Sequence, residues 1–217
     1  MGTQSKKMPA DEPQPSSAQE AVSSLLYQLL ETEMGGVQIY STALQCAIHP
    51  ELREEWTKYR AETERHVVIA RALVATAGLD PDAETPARLV CRHLGDGLIQ
   101  AMLEAMAAGT PAEAQITAAE CVVKAETKDH MNWELVGLLA KRISGDLSDA
   151  LKKAYDEIEV EEDRHLYHTQ GWARELWADA MGLPAVLPPP EETMQVESAG
   201  GAARAKKTRD KGTAPRT

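Results

Sequence analysis

The sequence predicts an all-α fold in which four long helices form a bundle and a helix-containing crossover connects the two helix pairs. The chain is 43% hydrophobic but only 4% aromatic, and it has no Phe, so the core must be built from aliphatic residues, Ala and Met. This composition favours helices over sheets. Apolar residues also recur at spacings of three and four, as they do on one face of an α-helix. Proline, glycine and capping residues divide this periodic sequence into successive helices.

The first half of the chain is predicted to contain an antiparallel pair of helices. The first helix begins near Gln19, and two adjacent glycines, Gly35 and Gly36, interrupt its apolar stripe. A glycine inside a helix costs roughly 1 kcal/mol relative to Ala, so we expect a close neighbour or a site there. The second helix begins at Pro50 and ends before Gly78. Because the connection is short, the two helices should be neighbours.

The second half repeats this plan after the crossover. A loop of turn residues precedes Thr85–Pro86, where a helix begins that runs to Gly109. We assign this helix to the connection between the two halves. A capping box at Thr110 begins the third bundle helix, Gly145 ends it, and the fourth helix covers residues 146–181.

One helical domain is predicted over residues 18–182. Residues 1–17 are rich in Pro, Ser and Gln, and residues 183–217 are first Pro-rich and then basic, so both segments are predicted to be disordered tails. The net charge is −11, but residues 201–217 carry six basic side chains against one acidic side chain, a net +5, which leaves −16 for the rest. This acidic body argues against nucleic-acid binding except through the basic tail.

The cysteines and the amino-terminal sequence indicate a cytoplasmic protein. Cys46, Cys91 and Cys121 are odd in number and match no disulfide or zinc-binding spacing, so we expect a reducing compartment and ordinary buried thiols. The first twenty residues contain no apolar run of the kind found in a secretory signal. No window reaches the length of a membrane span, so no membrane partner is expected.

Acidic residues and histidines interrupt the apolar stripes of the second and fourth helices. The second helix has Glu62 one turn before His66, and the fourth has Glu161 and Glu162 before His165. Residues three or four apart share a helix face, so each helix can bring a carboxylate and an imidazole to the same ion. Glu161 competes with Glu162 for the inward position, and the spacing of three favours Glu162.

The first and third helices each supply one further inward carboxylate, Glu33 and Glu126. Placing Glu33 on Glu126 also places Tyr40 on Trp133, as expected of an internal duplication. Four carboxylates neutralise two divalent cations, and oxygen-rich ligation with one nitrogen per metal suits iron or manganese better than zinc. The predicted ligands of this dinuclear site are Glu33, Glu62, His66, Glu126, Glu162 and His165.

Several residues near these ligands have plainer interpretations. Glu33 is also suited to an ion pair between helices, and Asp129 and His130 crowd Glu126. Tyr40 is a candidate to donate a hydrogen bond or an electron beside the metals, although aromatic residues are more often core packing. The remaining expectations are a hydrogen bond from His130 and from His168 to a nearby acid, core packing for Trp133 and Trp172, and surface positions for His93 and Asp96.

These motifs resemble those of the ferritin-like superfamily of di-iron carboxylate proteins, which includes bacterioferritins, rubrerythrins and ferritins. The resemblance covers residues 19–181. It rests on Glu33 followed by Tyr40, the acid–histidine pair of the second helix, Glu126, and Glu162-Asp163-Arg164-His165. In that superfamily the second helix also carries Glu-x-x-His. This sequence departs from the pattern, because Thr63 lies three residues before His66, and Glu62, four residues before it, has to reach the same face.

The resemblance implies a ferritin-like four-helix bundle that binds two irons, with manganese as the alternative, and reacts with oxygen or peroxide. It is compatible with iron storage, peroxide reduction, hydroxylation and manganese catalase activity, and it points to an oxidoreductase of ferroxidase or peroxidase type linked to oxidative stress. We expect a homo-oligomer, with a dimer favoured. Two rival interpretations are a helical scaffold or stress-associated binding protein without catalytic metal, and a DNA-protecting relative that acts through the basic tail.

Overall fold

The computed structural model describes residues 17–185, and these fold into five α-helices. The described residues contain no strand, so the all-α prediction is confirmed. The predicted tails lie almost wholly outside the described residues. The helices are α1 (Ser17–Cys46), α2 (Pro50–Thr76), α3 (Pro86–Ala108), α4 (Pro111–Ala140) and α5 (Asp146–Ala180).

Four of the helices surround a common interior. Helix α1 contacts α2 and α4, and α5 also contacts α2 and α4, so these four helices form a closed ring. A short connection at residues 47–49 joins α1 to α2, and another at residues 141–145 joins α4 to α5, so each pair is antiparallel. Helix α3 packs on the outside of this ring against α1 and α4. In the chain, α3 connects the α1–α2 pair to the α4–α5 pair.

Local sequence signals determine where the helices begin and end. The backbone N–H of Thr110 donates to the Glu113 carboxylate at 2.7 Å, and the Thr110 hydroxyl accepts from the Glu113 backbone N–H, which confirms the predicted capping box. Gly78 and Gly145 have φ angles of +74° and +88°. Glycine adopts this left-handed conformation without steric cost, so the chain leaves α2 at Gly78 and enters α5 at Gly145. The prediction that Gly145 ends α4 is wrong, because α4 ends at Ala140 and Gly145 is the N-cap of α5.

Two apolar clusters fill the bundle, and a polar layer separates them. Along α1, residues 26–30 belong to one cluster and residues 39–47 to the other. Helices α2, α4 and α5 also carry apolar side chains on either side of a central polar segment, and the two clusters follow in the opposite order along α2 and α4. Burying each large aliphatic side chain contributes about 1.5–3 kcal/mol. The two clusters therefore stabilise the packing of the helices on both sides of the polar layer. The layer contains Glu33, Glu62, Thr63, His66, Glu126, Asp129, Glu162 and His165.

The two glycines of α1 differ in their surroundings. A Cβ atom on Gly36 would lie 3.1 Å from Cγ2 of Thr63, so α1 and α2 approach closely in the polar layer. A Cβ atom on Gly35 would meet nothing within 4 Å. The expected close neighbour is therefore confirmed for Gly36 and not for Gly35.

The exterior of α3 agrees with the sequence. His93 and Asp96 are exposed, as predicted.

The thiols of Cys46 and Cys121 are buried, whereas Cys91 is half-buried, and all three are free. Within residues 17–185, none of the helices combines the length and the apolar character that crossing a membrane requires.

Candidate metal centre

The polar layer brings together six ionisable side chains that are almost completely buried. His66, His165 and Glu33 are 0% exposed, and Glu162, Glu126 and Asp129 are 1%, 4% and 5% exposed. They come from all four helices of the ring. An unpaired charge in a protein interior costs several kcal/mol, so this concentration of acids has no explanation in packing alone.

Two groups of potential ligand atoms lie within this layer. Glu33, His66 and Glu162 form one group, and Glu126, Glu162 and His165 form the other. Within each group the ligand atoms all lie within 4.8 Å of one another. Glu162 belongs to both groups. The structure thus brings five of the six predicted ligands together, with Glu162 shared between them.

The spacing of these atoms fits a common ion in each group. His66 Nδ1 lies 3.0 Å from Glu162 Oε1 and 3.6 Å from Glu33 Oε1. His165 Nδ1 lies 3.7 Å from Glu162 Oε1 and 3.7 Å from Glu126 Oε2. Two ligands that bind an ion at about 2.1 Å and at right angles to each other are about 3.0 Å apart, and wider angles give larger separations.

The buried atoms that face this space lack hydrogen-bond partners. Buried polar atoms in folded proteins are nearly always hydrogen-bonded, so each exception calls for a ligand or another explanation. In the polar layer the exceptions are concentrated on the two groups. On the two groups they are Glu33 Oε2, His66 Nδ1, Glu126 Oε2, both carboxylate oxygens of Glu162, and His165 Nδ1, and Asp129 Oδ1 is a further exception in the layer. All of these atoms are metal ligands by type, so the residues fit a pair of cations.

A carboxylate holds the outer nitrogen of each imidazole ring. His165 Nε2 lies 3.0 Å from Glu62 Oε2, and His66 Nε2 lies 2.8 Å from Glu161 Oε2. These partners assign the proton to Nε2 in both rings, so that each Nδ1 presents a lone pair to the centre. Burial lowers the pKa of His66, which favours the neutral ring that binds metal.

Glu62 lies outside the two ligand groups, although the sequence predicted it to be a ligand. Its carboxylate lies behind His165 and 3.4 Å from Arg164 Nη2. Burial raises the pKa of Glu62, but the contacts with His165, Lys58 and Arg164 lower it overall. Glu161, the predicted competitor of Glu162, has the equivalent position behind His66, where it also pairs with Arg65.

The difference between these acids follows from helix geometry. Successive residues of an α-helix are about 100° apart, so positions three and four residues before a histidine point to opposite sides of it. In α5 the position three before His165 is Glu162, which faces the centre. In α2 the corresponding position is Thr63, whose hydroxyl donates to the Tyr59 carbonyl at 2.9 Å. Helix α2 therefore contributes a histidine without a bridging carboxylate.

Burial dominates the electrostatics of the centre. It raises the pKa of Glu33, Asp129 and Glu162 well above the ordinary values, and the neighbouring carboxylates raise them further. Burial also raises the pKa of Glu126 to about 7, against the opposing effect of His165. A bound cation reverses this effect, because it favours the ionised form of each acid.

Two residues have roles in this layer that the sequence did not reveal. Asp129 was expected only to crowd Glu126, but it is buried, and burial together with the charge of Glu162 raises its pKa while a hydrogen bond with Glu33 opposes this. Its position three residues after Glu126 on the same helix face was the available signal. Trp133 packs in an apolar cluster, as expected, and its Nε1–H also donates to Glu33 Oε1 at 2.7 Å. This bond opposes the rise in the pKa of Glu33.

The other predicted neighbours lie around the centre. Tyr40 is fully buried, with its ring 6.1 Å from that of His165, and burial together with the Glu126 charge raises the pKa of Tyr40. His130 contacts Asp163 at 2.8 Å, as expected. His168 contacts the Tyr59 hydroxyl at 3.0 Å, although an acid was expected. Trp172 is half-buried and donates to Glu55 Oε2 at 2.8 Å, so it does more than pack.

The residues of the centre are the basis for any statement about function. Comparisons with protein-family models, curated proteins and solved structures found no match to this chain. The function of the protein therefore has to be inferred from the side chains that converge in the polar layer.

Proposed function

We propose that this protein is a ferritin-like metalloprotein that holds two iron or manganese ions in the polar layer and reacts with dioxygen or peroxide. One observation carries the proposal: Glu162 is shared by two ligand groups, each completed by one further carboxylate and one imidazole Nδ1. A carboxylate between two sites is what a dinuclear centre requires. The packing of a helical bundle without metal does not require a buried carboxylate at this position.

The donor set favours iron or manganese. Each group offers carboxylate oxygens and a single nitrogen, whereas structural zinc sites are built from four Cys or His ligands. When bound, such ions supply one-electron redox chemistry toward dioxygen or peroxide. Glu62 and Glu161 orient the two rings so that Nδ1 faces inward. The apolar clusters on either side exclude water from the centre.

The ionisable residues also set the proton balance of metal binding. Burial raises the pKa of Glu33, Glu126 and Glu162, so in the metal-free protein these acids keep their protons to higher pH than ordinary glutamates do. Loading the centre requires their release. Metal affinity is therefore expected to rise with pH, and binding should acidify a weakly buffered solution.

The test is aerobic addition of ferrous iron to metal-free protein, followed by optical absorbance and dioxygen consumption. We expect protein-dependent oxidation that saturates near two irons per chain and is lost in Glu162→Gln. The matched control is Glu157→Gln, an exposed acid on the same helix. If Glu162→Gln oxidised iron as fast as the wild type, the centre would not be the site of reaction. Fewer than one bound transition metal per chain would favour the scaffold interpretation.

A further inference from the structure

A cavity lies outside the four-helix ring, in the groove between α1, α3 and α4. Its volume is about 300 Å³, at the small end of the range for sites that bind small molecules. Most of its lining is apolar. Ile39 in the lining is 3% exposed and belongs to an apolar core cluster, whereas Leu94 is 60% exposed. The cavity therefore extends from the core of the protein to its surface.

Two glycines on facing helices keep this cavity open. Gly35 of α1 and Gly95 of α3 both line it, and a Cβ atom on either residue would meet nothing within 4 Å. Glycine inside a helix is destabilising relative to alanine, and close packing does not require glycine at these two positions. Larger side chains there would occupy the cavity. The two glycines therefore weaken their helices and leave room for another molecule.

The rim of the cavity is positively charged, although the chain carries a net charge of −11. Lys124 and Lys128 lie one turn apart on α4, and neither forms an ion pair with an acid of residues 17–185. Lys128 donates to the neutral side chain of Asn132. The acid in the lining, Glu31, is already paired with two arginines of α3, at 2.6 and 2.7 Å. An anionic group at the rim would thus meet two lysines and no unpaired carboxylate of the lining.

We propose that this cavity binds an amphipathic anion that has one apolar chain and one carboxylate, as a medium-chain fatty acid has. The apolar chain lies between Gly35 and Gly95, where its burial removes hydrocarbon from water. The carboxylate lies at the rim and accepts hydrogen bonds from Lys124 and Lys128. This site does not depend on the proposed metal chemistry, because none of its lining residues belongs to the two ligand groups.

The test of the cavity is isothermal titration calorimetry of the full-length protein with decanoate, at concentrations below micelle formation. We expect one site per chain, and a dissociation constant about tenfold higher or more for Gly35→Leu, whose side chain would fill the cavity. The matched control is Gly97→Leu, because Gly97 of α3 also has nothing within 4 Å of an added Cβ atom and does not line the cavity. It should bind decanoate as the wild type does.

Both glycine variants should fold, since leucine favours a helix more than glycine does, and circular dichroism checks this. Wild-type affinity for decanoate in Gly35→Leu would overturn the proposal, as would the absence of decanoate binding to the wild type. A crystal structure of the wild-type protein with decanoate tests the same site without a variant. We expect the chain between Gly35 and Gly95, and a decanoate bound elsewhere would contradict the assignment.

A second titration tests the recognition of the carboxylate. The double variant Lys124→Gln and Lys128→Gln should raise the dissociation constant of decanoate about fivefold. The control is Lys152→Gln combined with Lys153→Gln, which changes the net charge equally at exposed positions of α5 and should leave the affinity unchanged. The cation decyltrimethylammonium should bind the wild type more weakly than decanoate. Equal binding of the two probes, or unchanged decanoate affinity in the first double variant, would contradict an anion site.

Discussion

The metal-free protein should lose stability as the pH rises, and Glu126 is the residue whose contribution to this loss is best defined. Burial raises the pKa of Glu126 from 4.5 to about 7. Between these values the folded chain holds a proton that the unfolded chain has released. The free energy of unfolding therefore falls as the pH rises through this window, and the stabilisation is complete only below the unfolded pKa. One pKa unit corresponds to about 1.4 kcal/mol, so the loss attributable to Glu126 is about 3 kcal/mol.

The substitution Glu126→Gln removes this proton exchange while it keeps the shape of the side chain. The free energy of unfolding of the variant, minus that of the wild type, should rise by about 3 kcal/mol between pH 4.5 and pH 8. Glu33, Asp129 and Glu162 change stability in the same direction in both proteins. Because the Glu126 charge also raises the pKa of Glu33 and Glu162, the difference reports Glu126 together with its effect on these two acids.

The assay is urea unfolding followed by far-UV circular dichroism, in the presence of a chelator, at several pH values. Glu134→Gln is the matched control, because Glu134 is exposed on the same helix. We expect its stability to follow that of the wild type across the series. A constant difference between Glu126→Gln and the wild type over the whole range would refute the reasoning, since Glu126 would then titrate alike in both states.

Two further substitutions test the metal centre and the packing of α3 against α1. Glu62→Gln should weaken metal affinity by about 10- to 100-fold, because it removes the carboxylate behind His165. Equilibrium dialysis measures this affinity, and an unchanged affinity would contradict the role of Glu62 in orienting the ring. Arg88→Met should lower the free energy of unfolding by about 3 kcal/mol, because Arg88 forms a buried ion pair with Glu31 at 2.6 Å. Urea unfolding measures this cost, and a loss below about 1 kcal/mol would show that Arg92, which also contacts Glu31, compensates.

The helices were predictable because their boundaries are encoded locally. Thr110 and Glu113 form a capping box whatever the rest of the chain does, and Gly78 favours the left-handed conformation that ends α2. The assignment of α3 to the connection between the halves followed from the order of the helices, whereas its packing against α1 and α4 is seen only in the structure. The short links make α1/α2 and α4/α5 hairpins, which leaves the middle helix as the crossover.

The centre was only partly predictable, because spacing places a residue on a helix face but does not fix the rotation of the helix. Glu62 and Thr63 both lie within one turn of His66, and the packing of α1 against α2 decides that Thr63 faces inward. The burial of Asp129 was not predicted for the same reason, because it depends on the rotation of α4 relative to Glu33. Membership of the ferritin-like superfamily and the identity of the metal stay predictions.

The central claim is that Glu162 serves two metal ions at once. Anaerobic titration of the metal-free protein with ferrous iron, with bound metal counted by elemental analysis, tests this claim most directly. The wild type should bind two ions per chain, and Glu162→Gln should lose both together, whereas Glu157→Gln should keep both. Retention of both ions by Glu162→Gln, or the loss of a single ion with the other unaffected, would contradict the account.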